Sequence, residues 1–115
     1  MTCLIASLGN EKATIAHVAE LIKRENWEKV ILVSETKQTE IPQKTNIEYI
    51  IINPNNMLSE LAEDIRKKIK ISDIEVALNL ISGSGKTNMA VLSALLKLGL
   101  GIRLVALTKE GIKEI

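Results

Sequence analysis

A chain of 115 residues with a formal net charge of +1 has room for a single core, and it lacks the strong basic excess that duplex DNA binding demands. Aromatic residues make up 2%, namely Trp27 and Tyr49, which removes the stacking platform of a single-strand binder, and the lone Cys3 excludes an intramolecular disulfide and a cysteine-rich zinc site. With 46% hydrophobic and 25% charged residues, no apolar run of membrane-spanning length and no signal-like lead after Met1, a globular protein of the cytoplasm without a membrane partner is expected.

The first apolar run, Cys3 to Ser7, has strand length and opens into Leu8-Gly9-Asn10-Glu11, either a simple turn or a phosphate or ribose contact. Lys12 to Asn26 follows with helical spacing of Ile15, Val18, Ala19 and Ile22. His17, the single histidine, falls beside that stripe as an exposed or partly packed side chain; a general-base role requires the helix to border a ligand crevice. Trp27 is placed to pack at the helix end, and Cys3 reads as a small buried apolar residue.

Val30 to Ser34 and Ile47 to Ile52 are continuous apolar runs, the pattern of parallel strands covered on both faces. Between them residues 36–46 are polar, contain Pro42 and show no helical spacing. The crossover is therefore shorter than is usual between parallel neighbours, and an antiparallel pairing stays open. Asn53-Pro54 signals a turn, with Asn55 or Asn56 as cap of a helix from Met57 to Ile69. Leu58, Leu61, Ala62, Ile65 and Ile69 share one face there, with acidic residues early and basic ones late, as the helix dipole favours.

The fourth strand, Glu75 to Ile81, carries Asn79, whose amide needs partners if buried. It runs into Ser82-Gly83-Ser84-Gly85-Lys86-Thr87 and a helix from Lys86 to Leu98 that Gly99 ends. Met89, Leu92, Leu95 and Leu96 are expected inward, and Ala90, Ser93 and Ala94 permit close approach to the sheet or a partner. Ile102 to Leu107 is the fifth strand, and Thr108 to Ile115 is an added strand, a short helix or a linker stub. The alternation predicts one α/β domain over 1–115: a Rossmann-like, open, mostly parallel five-stranded sheet of order 3-2-1-4-5 with helices on both faces. Ligands of such sheets sit where the strand order reverses, between the first and fourth strands.

The fourth-strand junction has the composition of an anion cradle. Small residues let consecutive N–H groups turn toward one point, the helix adds its positive end, and Lys86 adds a full charge. Gly85-Lys86-Thr87 suggests a Walker loop, but the glycine required five positions before Gly85 is Leu80, and no acidic strand end follows to hold magnesium. A degenerate P-loop for mononucleotide binding or phosphotransfer is the rival reading, and a helix-capping turn with solvated Lys86 is the plain one. No G-x-G-x-x-G is present, so Glu35 is not read as a nicotinamide-ribose acid, and Cys3 lies at the wrong strand end for a phosphocysteine.

Two passages carry a resemblance. Leu4-Ile5-Ala6-Ser7-Leu8-Gly9 and Ser82-Gly83-Ser84-Gly85-Lys86, the latter followed by a Met-containing helix, resemble the first-strand Leu-Gly motif and the Thr-Gly-Gly-Thr-Lys loop of the CRISPR-associated Rossmann-fold domains. Ser84 and Gly85 replace the family's second Gly and its Thr, Asn79 and Met89 are displaced by one position, and Asn10 and Glu11 stand where ring-cleaving members often place a hydroxyl. The resemblance implies a homodimer that binds a cyclic oligoadenylate, most simply the tetramer, made in type III CRISPR defence. It places Ser7, Leu8, Gly9, Asn10, Ser82, Gly83, Ser84, Gly85, Lys86 and Thr87 at the ligand, with Lys86 as the candidate catalytic residue of a ring nuclease that uses neither metal nor cofactor. In that setting the chain is a free-standing remover of the messenger or the sensor part of a larger effector or transcription regulator.

Overall fold

The computed structural model describes residues 2–115. Six strands and three helices follow in the order β1 (Cys3–Ser7), α1 (Lys12–Arg24), β2 (Lys29–Ser34), β3 (Ile47–Ile51), α2 (Leu58–Lys68), β4 (Glu75–Asn79), α3 (Gly85–Lys97), β5 (Gly101–Thr108) and β6 (Gly111–Glu114). They form one sheet of order β3-β2-β1-β4-β5-β6. The first five strands keep the expected order and are parallel, and β6 turns back antiparallel on β5 through the register Val105↔Glu114 to Thr108↔Gly111. The fold is thus Rossmann-like α/β with six strands rather than five, because the last segment closes a hairpin along the β5 edge.

Continuous apolar runs mark the strands buried on both faces. Every residue of β1 is buried, as are all but the first residue of β2 and of β4. On one face α2 and α3 cover Ile5, Ile31, Val33, Val76 and Leu78; on the other α1, Trp27 and Ile41 cover Leu4, Ala6, Leu32 and Ala77. Trp27 closes the end of α1 as expected, 6% exposed, with its indole N–H donating to the Leu21 carbonyl at 2.9 Å.

The crossover from β2 to β3 contains no helix, yet the strands pair in parallel, Val30↔Ile47 to Ser34↔Ile51. Ile41, 3% exposed, drops from that loop into the α1-side core and does part of the covering a crossover helix would do. Neither Asn55 nor Asn56 caps α2. Met57 is the N-cap residue, its N–H facing Glu60 Oε1 at 3.4 Å, while Asn53 Oδ1 accepts from Asn55 N in the preceding turn. Leu58 is 38% exposed rather than packed; Leu61, Ala62 and Ile65 make the buried stripe.

The largest departure from expectation is the phase of α3. Thr87, Ala90, Val91, Ala94 and Leu95 face the sheet, while Met89 and Leu96 are 61% and 63% exposed and Leu92 is 38% exposed. Asn88 sets this phase by donating its amide to the Leu80 and Ser82 carbonyls at 3.0 and 3.2 Å. Small side chains then let the helix lie close on β1, and the larger ones are turned outward.

Candidate functional site

Strand order reverses between β1 and β4, which are neighbours through Ala6↔Asn79, so the turns after them leave the sheet side by side. Ser82 fastens the two turns. Its carbonyl accepts from Ser7 Oγ at 2.6 Å, and its hydroxyl oxygen accepts from Gly9 N at 2.8 Å and lies 2.9 Å from Thr14 Oγ1 on α1. Ser7 and Ser82 are 0% and 1% exposed, and Leu8 is 4% exposed. These three residues face protein and position the turns; the exposed part of the predicted set is Asn10, Gly83, Ser84, Gly85 and Lys86, with Gly9 partly covered.

At the start of α3, Ser84 is the N-cap. Its hydroxyl accepts from Thr87 N at 3.1 Å and donates to Thr87 Oγ1 at 3.1 Å. Thr87 is consequently 8% exposed with its hydroxyl turned to the cap. Among the described residues, the main-chain N–H groups of Gly83, Ser84, Gly85 and Lys86 have no protein acceptor. Gly83 sits at φ +86, which turns its peptide out of the strand direction. The N-terminal dipole of α3 adds to these free donors.

Lys86 is exposed and donates from Nζ to the Pro54 carbonyl at 3.0 Å, bridging the loop before α2 to the cradle. That is a neutral acceptor, and an anionic oxygen at the same reach makes the stronger, charge-assisted bond. Two hollows lie elsewhere. A groove of about 500 Å³ between α2 and α3 is lined by Met57, Leu58, Met89 and Ser93, and a hollow of about 450 Å³ lies under the 37–45 loop against Ile47 and Tyr49. The cradle residues Gly83 to Lys86 are themselves exposed.

Thr14, Asn88, Pro54 and Gln38 belong to the site and escaped sequence reading. Thr14 and Asn88 lie about one helical turn beyond the two glycine turns, the spacing at which a polar side chain reaches back to a preceding loop. Gln38, which donates to the Gly9 carbonyl at 3.4 Å, and Pro54 arrive from other crossovers and carry no local signal. Behind the loop, Asn79 is 4% exposed and His17 half-buried, in contact across 3.3 Å. Burial lowers the His17 pKa from its ordinary 6.5.

Among the described residues no cluster of three or more His, Cys, Asp or Glu side chains could hold a metal ion, and no helix is long and apolar enough to cross a membrane. No family model matches the chain, and no curated protein matches it in sequence.

Proposed function

We propose that the chain binds a cyclic oligoadenylate, foremost the tetramer, as a homodimer in the cytoplasm, and that it serves type III CRISPR signalling by holding or opening that ring. The observation that carries the reading is the run of unpaired N–H groups from Gly83 to Lys86 at the strand-order reversal, beside the Gly9 turn. A phosphodiester supplies the acceptors those donors lack. The resemblance of the two glycine passages supplies the ring and the two-fold arrangement.

Exposed cradle residues suit a ligand large enough to meet two copies of them. Met89, Leu92 and Leu96, with Met57 beside α2, present exposed apolar side chains along α3 leading away from the cradle, which supports a second copy seated there. Two cradles would then face one ring.

Ring opening in this reading begins when a ribose 2′-oxygen attacks the adjacent phosphorus. The bond to the 5′-oxygen breaks, a 2′,3′-cyclic phosphate forms, and the 2′-hydroxyl proton ends on the departing 5′-oxygen. The cradle aligns the phosphate, and Lys86 leaves the Pro54 carbonyl to meet the developing charge. Magnesium-dependent phosphotransfer is disfavoured by Thr87, whose hydroxyl is turned into the helix cap.

Titration calorimetry with cyclic tetra-adenylate and with magnesium-ATP tests the reading. Magnesium-independent binding of one ring per two chains supports it, and preference for ATP overturns it. Incubation of the ring with wild type and Lys86→Ala, followed by separation of linear products, decides whether the protein cleaves. Turnover that survives in Lys86→Ala removes that residue from catalysis. Sedimentation of Met89→Glu/Leu96→Glu should show a monomer, and an unchanged dimer removes the α3 surface from the assembly.

A further inference from the structure

His17 Nε2 faces two donors. Leu107 N–H points at it from β5 at 3.2 Å, and Asn79 Nδ2 approaches it at 3.3 Å. A ring nitrogen between two N–H groups must present its lone pair, so the imidazole is neutral and carries its proton on Nδ1. The Asn79 amide is fixed with it: Nδ2 also donates to the Val105 carbonyl at 2.8 Å, and Oδ1 accepts from Ile81 N at 3.3 Å. Turning that amide over would set oxygen against the Val105 carbonyl and nitrogen against the Ile81 N–H. Ile81 immediately precedes Ser82, the fastener of the two glycine turns.

We propose that Asn79 and His17 are positioning residues for the glycine loop. The neutral imidazole keeps the Asn79 amide holding Ile81, and a proton on Nε2 releases that hold. The role in ligand binding rests on reading the loop as an anion cradle; the lock itself does not. Protonation places a third N–H against Leu107 and Asn79. The release proposed is Asn79 turning over to accept from Nε2–H, which strands Ile81 and opposes two oxygens at Val105; departure of His17 instead strands only the Leu107 N–H, keeps Asn79 on Val105 and Ile81, and leaves the Ile81 amide blind to the titration.

Among the described residues, the groups bonded to the imidazole carry no charge. Asn79 on β4 and the main chain of Leu107 on β5 are neutral, and Glu20, the nearest acid along α1, is paired with Arg24 at 3.0 Å. Burial is the only cause of the His17 shift, so nothing nearby rewards the imidazolium.

The single histidine makes the test unambiguous. Long-range nitrogen NMR of the wild-type protein across about pH 5 to 8 reads the tautomer and the titration directly. The Nδ1–H form is expected at neutral pH, with a midpoint below 6.5 and the Leu107 and Ile81 amides moving at that same midpoint. An Nε2–H tautomer at neutral pH, or an Ile81 amide that ignores the titration, overturns the lock. In calorimetry with cyclic tetra-adenylate, wild type should lose about tenfold or more in affinity as His17 charges, about 1.4 kcal/mol. His17→Gln, which still offers an acceptor but does not titrate, should keep its affinity across that range. A wild-type pH profile retained in His17→Gln overturns the coupling. If the ring binds at no pH, the functional reading fails while the NMR result still decides the lock.

Discussion

Gly9 and Gly83 lie against one another: a Cβ on Gly9 would come within 2.8 Å of the Gly83 nitrogen and 2.9 Å of its Cα. Both obstacles are backbone and cannot rotate away. Gly9→Ala must therefore push the β1 turn off the β4 turn, and Gly83 is as closely placed on its side, since a Cβ there would lie 3.1 Å from Ser7 Cβ. A loss of about 1–3 kcal/mol in unfolding free energy is expected from such overpacking. Ring affinity should fall further than stability, since the bond from Gly9 N to Ser82 Oγ breaks as the turns part. Urea titration and calorimetry on the same variant measure the two effects.

Ser82→Ala tests the fastener without adding bulk. The hydroxyl, on a residue 1% exposed, accepts from Gly9 N and meets Thr14 Oγ1; in the variant Gly9 N faces a methyl group, while Thr14 keeps the Glu11 carbonyl at 3.0 Å. The expected cost is about 0.5–1.5 kcal/mol for the lost, part-buried hydrogen bond. The Ser82 carbonyl, which Ser7 and Asn88 use, is untouched, so the fold should persist. Hydrogen exchange should speed up at Gly9 and little elsewhere; uniform acceleration over the sheet would contradict this local role.

How far the sequence reveals this molecule depends on the range of each signal. Buried parallel strands write themselves as unbroken apolar runs, so β1, β2 and β4 and the reversal between β1 and β4 were legible. The orientation of α3 was not, because Met89, Leu92 and Leu96 have core spacing and the deciding contact is the side chain of Asn88 on the carbonyls of Leu80 and Ser82. At the cradle the exposed donors follow from local composition. That Ser7, Ser82 and Thr87 spend their hydroxyls inside the protein depends on partners up to 75 residues away, as between Ser7 and Ser82. Asn79 showed only a need for partners; His17 and Val105 meet it from α1 and β5.

Lys86→Ala should separate binding from folding. The side chain is exposed and makes one bond, to the Pro54 carbonyl, so unfolding free energy should move by no more than about 0.5 kcal/mol. Loss of a charge-assisted contact to phosphate should weaken ring binding by about 1.5–3 kcal/mol. Lys86→Arg keeps the charge and should recover most of the affinity. Calorimetry at two salt concentrations checks the cause, because the gap between wild type and Lys86→Ala should narrow as salt rises.

Cys3 gives the protein an alkaline limit. Its side chain is 1% exposed at the start of β1, and burial, reinforced by the charge of Asp73, pushes the thiol from its ordinary 9.0 up to about 11. The folded pKa lies above the unfolded one, so this contribution to stability is complete below pH 9.0 and is lost as pH rises through about 11. The unfolded chain releases the thiol proton first and is favoured over that window. Cys3→Ala does not titrate there, so the stability difference between wild type and Cys3→Ala should shift by about 2 kcal/mol in the variant's favour between those two values. Thermal melts of both proteins across that range make the comparison. A constant difference would mean that the thiol ionises as readily inside the fold as outside it.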